Sequence, residues 1–440
     1  MMKSPNEHSP LRAALAAGLF VLEASLPSPA LALEPLEIFV ASSRHHNLDA
    51  RESRALLAQR STETDAAWTK LLPVVGAQAT YTRNQYEAIV ARGGAPPAVI
   101  VPQDQTDVYF TASWAVIDIG QWERIGAARR GEDAAGARAR ASELDAERSV
   151  ARAYYQVIAT EALKAAATQT LEAAQKNLAF VQARMGAGFA QELDTKRASA
   201  EVERGRQLVA DTVYQMAIAR RSLESESGRT PSPGAPDLVA ELVPEAPLAV
   251  WEGTNLDALP SVRAAHDEVR AAERTASATR AGLLPTVSLN AQERLTNATG
   301  FQDRGSLYAL SATAALRFDV STLVTASAQG AAAEVSRIRE ARARQQARDR
   351  IHAAWQLVRS LTDKAQSARA GLEASRLASR IAQQRYIAGT STFLDVITAE
   401  RDVFSAEVAR IQADGDLLFA RADLRLSAGR SSLAEGKERP

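Results

Sequence analysis

The sequence is written twice. Displacing it by 201 positions lays one half on the other without a gap from Asp118 to Arg229. Asp118 meets Asp319, Arg184 meets Arg385, Gly188 meets Gly389, Leu193-Asp194 meets Leu394-Asp395, and Gly228-Arg229 meets Gly429-Arg430. A second echo, Leu71-Leu72-Pro73 against Leu283-Leu284-Pro285, requires a shift of 212, so the first copy holds 11 extra residues between that proline and the aspartate. Gly93-Gly94-Ala95-Pro96-Pro97 is the place for a longer loop. A chain made of two copies of one unit solves the same packing problem twice, which confines it to duplicated architectures.

Each copy has the same order of elements. A helical stretch, 35–71 in the first copy and 260–282 in the second, ends at Leu-Leu-Pro. Proline cannot continue a helix and pushes its predecessor toward extended geometry. Two segments of period-two alternation follow, the signature of strands. They are Val75, Ala77, Ala79, Tyr81 then Val108, Phe110, Ala112, Trp114, Val116 in the first copy. In the second copy Val287 to Leu295 precede Tyr308, Leu310, Ala312, Ala314, Leu316 and Phe318. Long helices come next, since no proline occurs over 103–230 or 286–439. Leu171, Ala174, Leu178, Val181 and Met185 are spaced as a coiled-coil seam. A helix over 126–183 spans about 87 Å, while 189–227 spans about 59 Å and 35–71 about 56 Å. Laid end to end, the two shorter helices come to about 115 Å and only roughly match the long one, which predicts a rod in each repeat. Pro231 to Pro260 link the copies. The chain therefore divides into 33–230 as a first repeat, 231–259 as a linker or equatorial segment, 260–430 as a second repeat, and a tail over 431–440.

The N-terminal residues 1–32 read as an export signal. Lys3 and Arg12 supply positive charge, Ala13 to Leu22 form a short apolar run, and Ala30-Leu31-Ala32 offers a cleavage site after Ala32. That run is too short to span a bilayer as a helix, which needs about 20 residues. The 52 basic and 52 acidic side chains cancel, so no global field recruits nucleic acid. With no cysteine, disulfides, thiolate chemistry and cysteine-type zinc sites are excluded. His8, His45, His46, His266 and His352 lack metal-ligand spacing, and neither a metal nor an organic cofactor is expected. No nucleotide-binding glycine loop or catalytic constellation is present, so the chain does not read as an enzyme.

Four strands with one apolar and one small-polar face cannot close, because the smallest barrels have about eight. An open sheet leaves unpaired edges. Export, strand lengths near the ~9–11 residues that cross a bilayer, and tyrosines near strand ends point to a membrane barrel assembled from several chains. The competing readings are a soluble coiled-coil or structural protein with hairpins at its tip, and a periplasmic adaptor. An adaptor, however, carries one central helical hairpin rather than a whole-chain duplication.

These residues resemble the outer-membrane efflux proteins, the TolC-like channels. The carriers are the two-fold repeat, the Leu-Leu-Pro before each hairpin (Pro73, Pro285), Asp118 and Asp319 at the strand-to-helix junctions, and a G-x-x-x-x-L-D turn in each copy. The second turn, in RYIAGTSTFLDVITA, is the most specific. The resemblance covers about 34–430 and implies a fold that is mainly α with a small β part: duplicated long-helix hairpins forming an α-barrel, and four strands per chain completing a 12-stranded barrel in a homotrimer. It further implies a passive exit duct in the outer membrane, in contact with its lipid, with a helical tunnel projecting into the periplasm. A periplasmic adaptor and an inner-membrane pump are the implied partners, and selectivity mostly resides in the pump.

The resemblance places the gate at the turns around Gly188 and Gly389. Asp395, which sits in the apolar phase of its helix, would form an acidic ring of three at the constriction. Tyr386 and Asp194 match a latch between hairpins. Two charged positions of the family's type member are absent: Thr398 stands where a second acid is expected and Ser391 where a basic latch residue is expected. Arg385 is then the candidate for the missing cation. The bland reading of Asp194 and Asp395 is that they are helix-start acids, favoured by the positive end of the helix dipole.

Overall fold

The computed structural model describes residues 33–432 apart from Thr254 and Asp303. The expected export signal and all but the first two residues of the tail lie outside the described residues.

The helices follow the repeat closely. Copy one contains α1 (Leu36–His46), α2 (Leu48–Thr69), α3 (Ile119–Gly186) and α4 (Glu192–Ser227). After the short α5 (Leu248–Glu252), copy two contains α6 (Pro260–Ala281), α7 (Val320–Ile387) and α8 (Phe393–Ser427). The two long helices, α3 and α7, have 68 residues each, roughly 100 Å of rod. Their flanking helices have 22 and 36 residues in copy one, and 22 and 35 in copy two. The first long helix begins earlier than the expected residue 126, directly after the end of β4. Asp118 and Asp319 are the N-caps of α3 and α7, accepting bonds from the backbone N–H of Gln121 (2.8 Å) and Ser321 (2.9 Å). Such caps satisfy amide groups that have no partner inside the helix. In copy one strand turns into helix across Asp118 alone, whereas in copy two Leu316, Arg317 and Phe318, expected to continue the strand, lie between the end of β6 and the Asp319 cap.

The stretch expected as one helix over 35–71 is two. Asn47 leaves the helical region (φ −58°, ψ 128°) and caps α2 through its side chain, which accepts from Ala50 N–H at 3.1 Å. Its amide also donates to Glu226 of α4 at 3.2 Å. A tertiary partner 179 positions away fixes this break, so neither proline nor glycine marks it.

Pro73 and Pro285 sit between helix and strand. The strands are β1 (Val74–Arg83), β2 (Ala88–Arg92), β3 (Ala95–Val101), β4 (Asp104–Ile117), β5 (Thr286–Thr296) and β6 (Ser306–Ala315). Four form an antiparallel sheet in the order β1-β4-β5-β6. The residues expected as a loop around Gly93 and Gly94 are instead the turn of a two-stranded ribbon, β2-β3. Gly94 takes a left-handed φ of 80° there, and the ribbon accommodates the extra residues of copy one.

Register divides the sheet into two faces, because residues directly opposite each other share a side. Val75 and Ala77 lie opposite Ala112 and Phe110, which lie opposite Ala291 and Glu293, which in turn face Leu310 and Tyr308. The other face carries Gln78, Tyr109 and Arg294, then Thr80, Asp107 and Thr296, then Ser113, Asn290 and Ser311. One face is apolar except for Glu293 in its middle rows, and the other is polar. Trp114 Nε1 donates to the Leu71 carbonyl at 2.9 Å, tying the end of the helical stretch to the sheet.

The inter-repeat segment is strapped down. Its irregular backbone needs external donors, and arginines and a tryptophan supply them. Arg410 donates to Leu238 O (3.1 Å), Arg369 to Ala240 O (2.6 Å), Arg421 to Val243 O, and Trp355 to Ala246 O (2.9 Å). Asp414 of α8, fully buried, accepts from Arg369 at 2.6 Å and Arg410 at 3.0 Å. Around it Trp251, Leu259, Ile351, Val358, Leu417 and Leu424 form a core.

Candidate functional site

The tips of the two helical hairpins are the most elaborate part of the rod. At each, the long helix closes in a Schellman motif. Gly188 N–H bonds Met185 O (3.0 Å) and Phe189 N–H bonds Arg184 O (2.8 Å); Gly389 N–H bonds Tyr386 O (3.1 Å) and Thr390 N–H bonds Arg385 O (2.9 Å). The glycines take φ of 81° and 74°, the left-handed geometry that reverses a helix with little strain only at glycine.

The following helices start differently. In copy two, Thr392 and Asp395 form a capping box: Asp395 Oδ2 accepts from Thr392 N–H at 2.8 Å and Thr392 Oγ1 accepts from Asp395 N–H at 3.4 Å. In copy one, Gln191 makes no side-chain cap, and Asp194 points toward Arg197 at 3.9 Å. Asp395 is exposed, which corrects the expectation that it lies within an apolar phase: Phe393, Val396 and Ile397 are the buried members of this turn. Bonds from the Thr392 backbone and hydroxyl hold the Asp395 carboxyl below its ordinary pKa, with a smaller contribution from the Arg385 charge.

Between the tips lies an apolar cluster of Val181, Ala198, Tyr386, Phe393, Val396 and Ile397. It joins the hairpin of copy one to that of copy two. Tyr386 is 8% exposed, with ring centroids 5.4 Å from Phe393 and 6.3 Å from Phe180. Burial raises its hydroxyl pKa; the Asp194 charge adds to this and the Arg184 charge offsets part of it. The hydroxyl itself is buried without a hydrogen-bond partner. The Asp194 charge thus bears on Tyr386, but no hydrogen bond joins the two.

Arg385 is exposed and its charge bears on Asp395. The cation beside Tyr386 is its counterpart in the first copy, Arg184, with the guanidinium carbon 5.1 Å from the Tyr386 centroid and 5.7 Å from that of Phe180. Sequence comparison of the copies marked Arg184 as a repeat position without marking it as a site. Its signal was available: an arginine four residues before the turn glycine, with an aromatic one turn upstream.

Polar bonds extend the hairpin contact up the rod. Asn177 of α3 donates to Glu400 of α8 at 2.6 Å, and Glu400 also accepts from Gln383 of α7 at 2.9 Å. Arg401 of α8 pairs with Glu201 of α4. Of the positions lacking the expected gate charges, Ser391 approaches the Ala382 carbonyl (3.5 Å) and Thr398 is exposed. Among the described residues no group of three or more His, Asp or Glu could hold a metal ion.

Comparison with known proteins bears on what such tips belong to. The family model described as "Outer membrane efflux protein" matches residues 39–229 and 255–430, well over half of the chain. The chain is 24% identical over 285 residues to the outer membrane efflux protein BepC of Brucella suis biovar 1 (strain 1330), a match covering 63% of this chain and 62% of that protein. Among solved structures, CusC aligns with a TM-score of 0.78 at 17% identity, covering 90% of this chain and 92% of the other. The open state of the MtrE outer membrane channel of Neisseria gonorrhoeae aligns with a TM-score of 0.75 at 20% identity, covering 91% and 90%. The OprN outer-membrane channel gives 0.75 at 21% identity, covering 90% of both chains.

Proposed function

The chain belongs to the outer membrane efflux protein family, and from that premise we propose that it is a passive exit duct, handed its substrates by an inner-membrane pump and a periplasmic adaptor. It resides in the outer membrane, with its helical part in the periplasm. The proposal includes assembly as a homotrimer of duplicated units, 33–230 and 260–430, and no catalytic role.

The observation that carries the trimer is an unmatched pair of edges. Within the chain, copy one meets copy two through β4 against β5 and α3 against α6. The repeat-equivalent contact from copy two back to copy one is β6 against β1 and α7 against α2, and a single chain cannot make it because these elements lie at opposite edges. A neighbouring copy supplies it. Ala134 and Ala137 of α3 are buried, whereas Val335 and Ile338, their counterparts in α7, are 47% and 54% exposed. Closure after three chains gives 12 strands, a barrel with its apolar face to lipid and its polar face to the pore.

At the periplasmic end the gate reading places the tip turns around a constriction, with Asp395 from each chain as a ring of carboxylates, and rings of this kind bind and select cations. Two measurements test the proposal. Detergent-extracted outer membranes should hold the protein as a heat-modifiable trimer that conducts in planar bilayers, and recovery in the soluble fraction overturns this. Asp395→Ala should relieve block by divalent cations; unchanged block removes Asp395 from the constriction.

A further inference from the structure

We propose that Arg184 is the clamp that holds the two hairpin tips of each chain together, in place of the basic residue missing at Ser391. The inference rests on the gate reading and goes beyond it by naming the residue and the kind of contact that resist opening.

Four observations converge on this side chain. Its guanidinium lies within cation–π range of both Phe180, on its own helix, and Tyr386, across the hairpin contact. Its Nη1 donates to the Ile387 carbonyl at 3.3 Å. Ile387 is the last residue of α7, where carbonyls lack intrahelical partners and a cation is favoured by the dipole. Its Nε is buried with no partner, so the group is held by the rings and the helix end rather than by a carboxylate. Tyr386 in turn packs on Phe393 at the start of α8, so one guanidinium touches the end of α7 and, through one ring, the beginning of α8.

The clamp is one-sided. The repeat carries Arg385 in the position equivalent to Arg184, and the place equivalent to Tyr386 is Met185, which is 39% exposed. Between neighbouring chains Arg385 would therefore meet a thioether where Arg184 meets a phenol ring. The seam within a chain is aromatic and tight; the seam between chains lacks that ring, and Ser391 adds no charge to it.

The test is the resting conductance of the purified trimer in planar bilayers, with trimer formation checked by heat-modifiability. Arg184→Ala should raise the open fraction about tenfold, the scale of one partly desolvated cation–π contact. Arg184→Lys should fall between wild type and Ala, since an ammonium lacks the planar stack and the fork, and it carries the test if the Ala variant does not assemble. Tyr386→Ala should match Arg184→Ala, and the double variant should open no further than either alone. Tyr386→Phe, which keeps the ring, should open far less. Breaking the exposed Arg206–Glu203 pair on α4 serves as the control.

Wild-type conductance in an assembled Arg184→Ala trimer overturns the clamp. Equal opening by Tyr386→Phe also overturns it and assigns the latch to the hydroxyl. If Asp395→Ala relieves divalent block while Arg184→Ala leaves conductance unchanged, the gate reading stands and the clamp alone is wrong. If Asp395→Ala leaves block intact, the gate reading has failed, whatever Arg184 does.

Discussion

Asp395 does two things with one carboxylate. Its bonds to Thr392 start α8, and its exposed charge is the one the proposed gate puts in the pore. Asp395→Asn separates them, because the amide oxygen can still accept from Thr392 N–H while the charge is gone. We expect normal trimer yield with divalent block lost, read by conductance against added divalent cation. The pH dependence has a definite sign. The carboxyl pKa is lowered, so the ionised form and its capping contribution persist as pH falls through the ordinary Asp value of about 3.9. Block should survive to that range and disappear only below it. The turn and its acid were readable in the sequence, because glycine geometry and capping are local. The environment of Tyr386 was not, since the cation beside it comes from a residue 202 positions earlier.

At the scale of the elements, strand alternation located all four sheet strands and their two faces, because the period-two pattern survives wherever one face meets an apolar medium. Glu293 breaks that pattern, opposite Phe110 and Tyr308, with Ser306 as its hydrogen-bond donor at 3.0 Å. A carboxylate on the face proposed to meet lipid opposes insertion, so Glu293→Leu should stabilise the barrel by about 1 kcal/mol, measured as a higher denaturant midpoint in vesicles. Asp414 is the opposite case. Removing the acid leaves Arg369 without its carboxylate and Arg410 with Glu407 alone, and Asp414→Ala should cost about 1–3 kcal/mol, seen as a lower thermal midpoint. The ribbon β2-β3 and the break at Asn47 escaped the sequence. The first lies in a run punctuated by glycine and proline, and the second depends on Glu226 of a different helix.

The whole molecule is a half-satisfied repeat. The contacts that copy one makes with copy two through β4-β5 and α3-α6 have counterparts that the single chain leaves unmade, and α7 presents valine and isoleucine where α3 buries alanine. Val335→Glu with Ile338→Glu should leave the helical content of the chain intact while abolishing the trimer, tested by circular dichroism alongside analytical ultracentrifugation in detergent. A trimer that survives both charges would place the neighbouring chain elsewhere. The sequence by itself determined the duplication, the tip turns, the capped strand-to-helix junctions and the sheet faces, all written within a few residues or in one fixed period. Only the tertiary structure decided which of two equivalent arginines meets the tyrosine, where the N-terminal helix breaks, and which edges remain open. Two arginines equivalent in the repeat acquire different partners once one copy is packed against the other, and no periodicity within either copy records that difference.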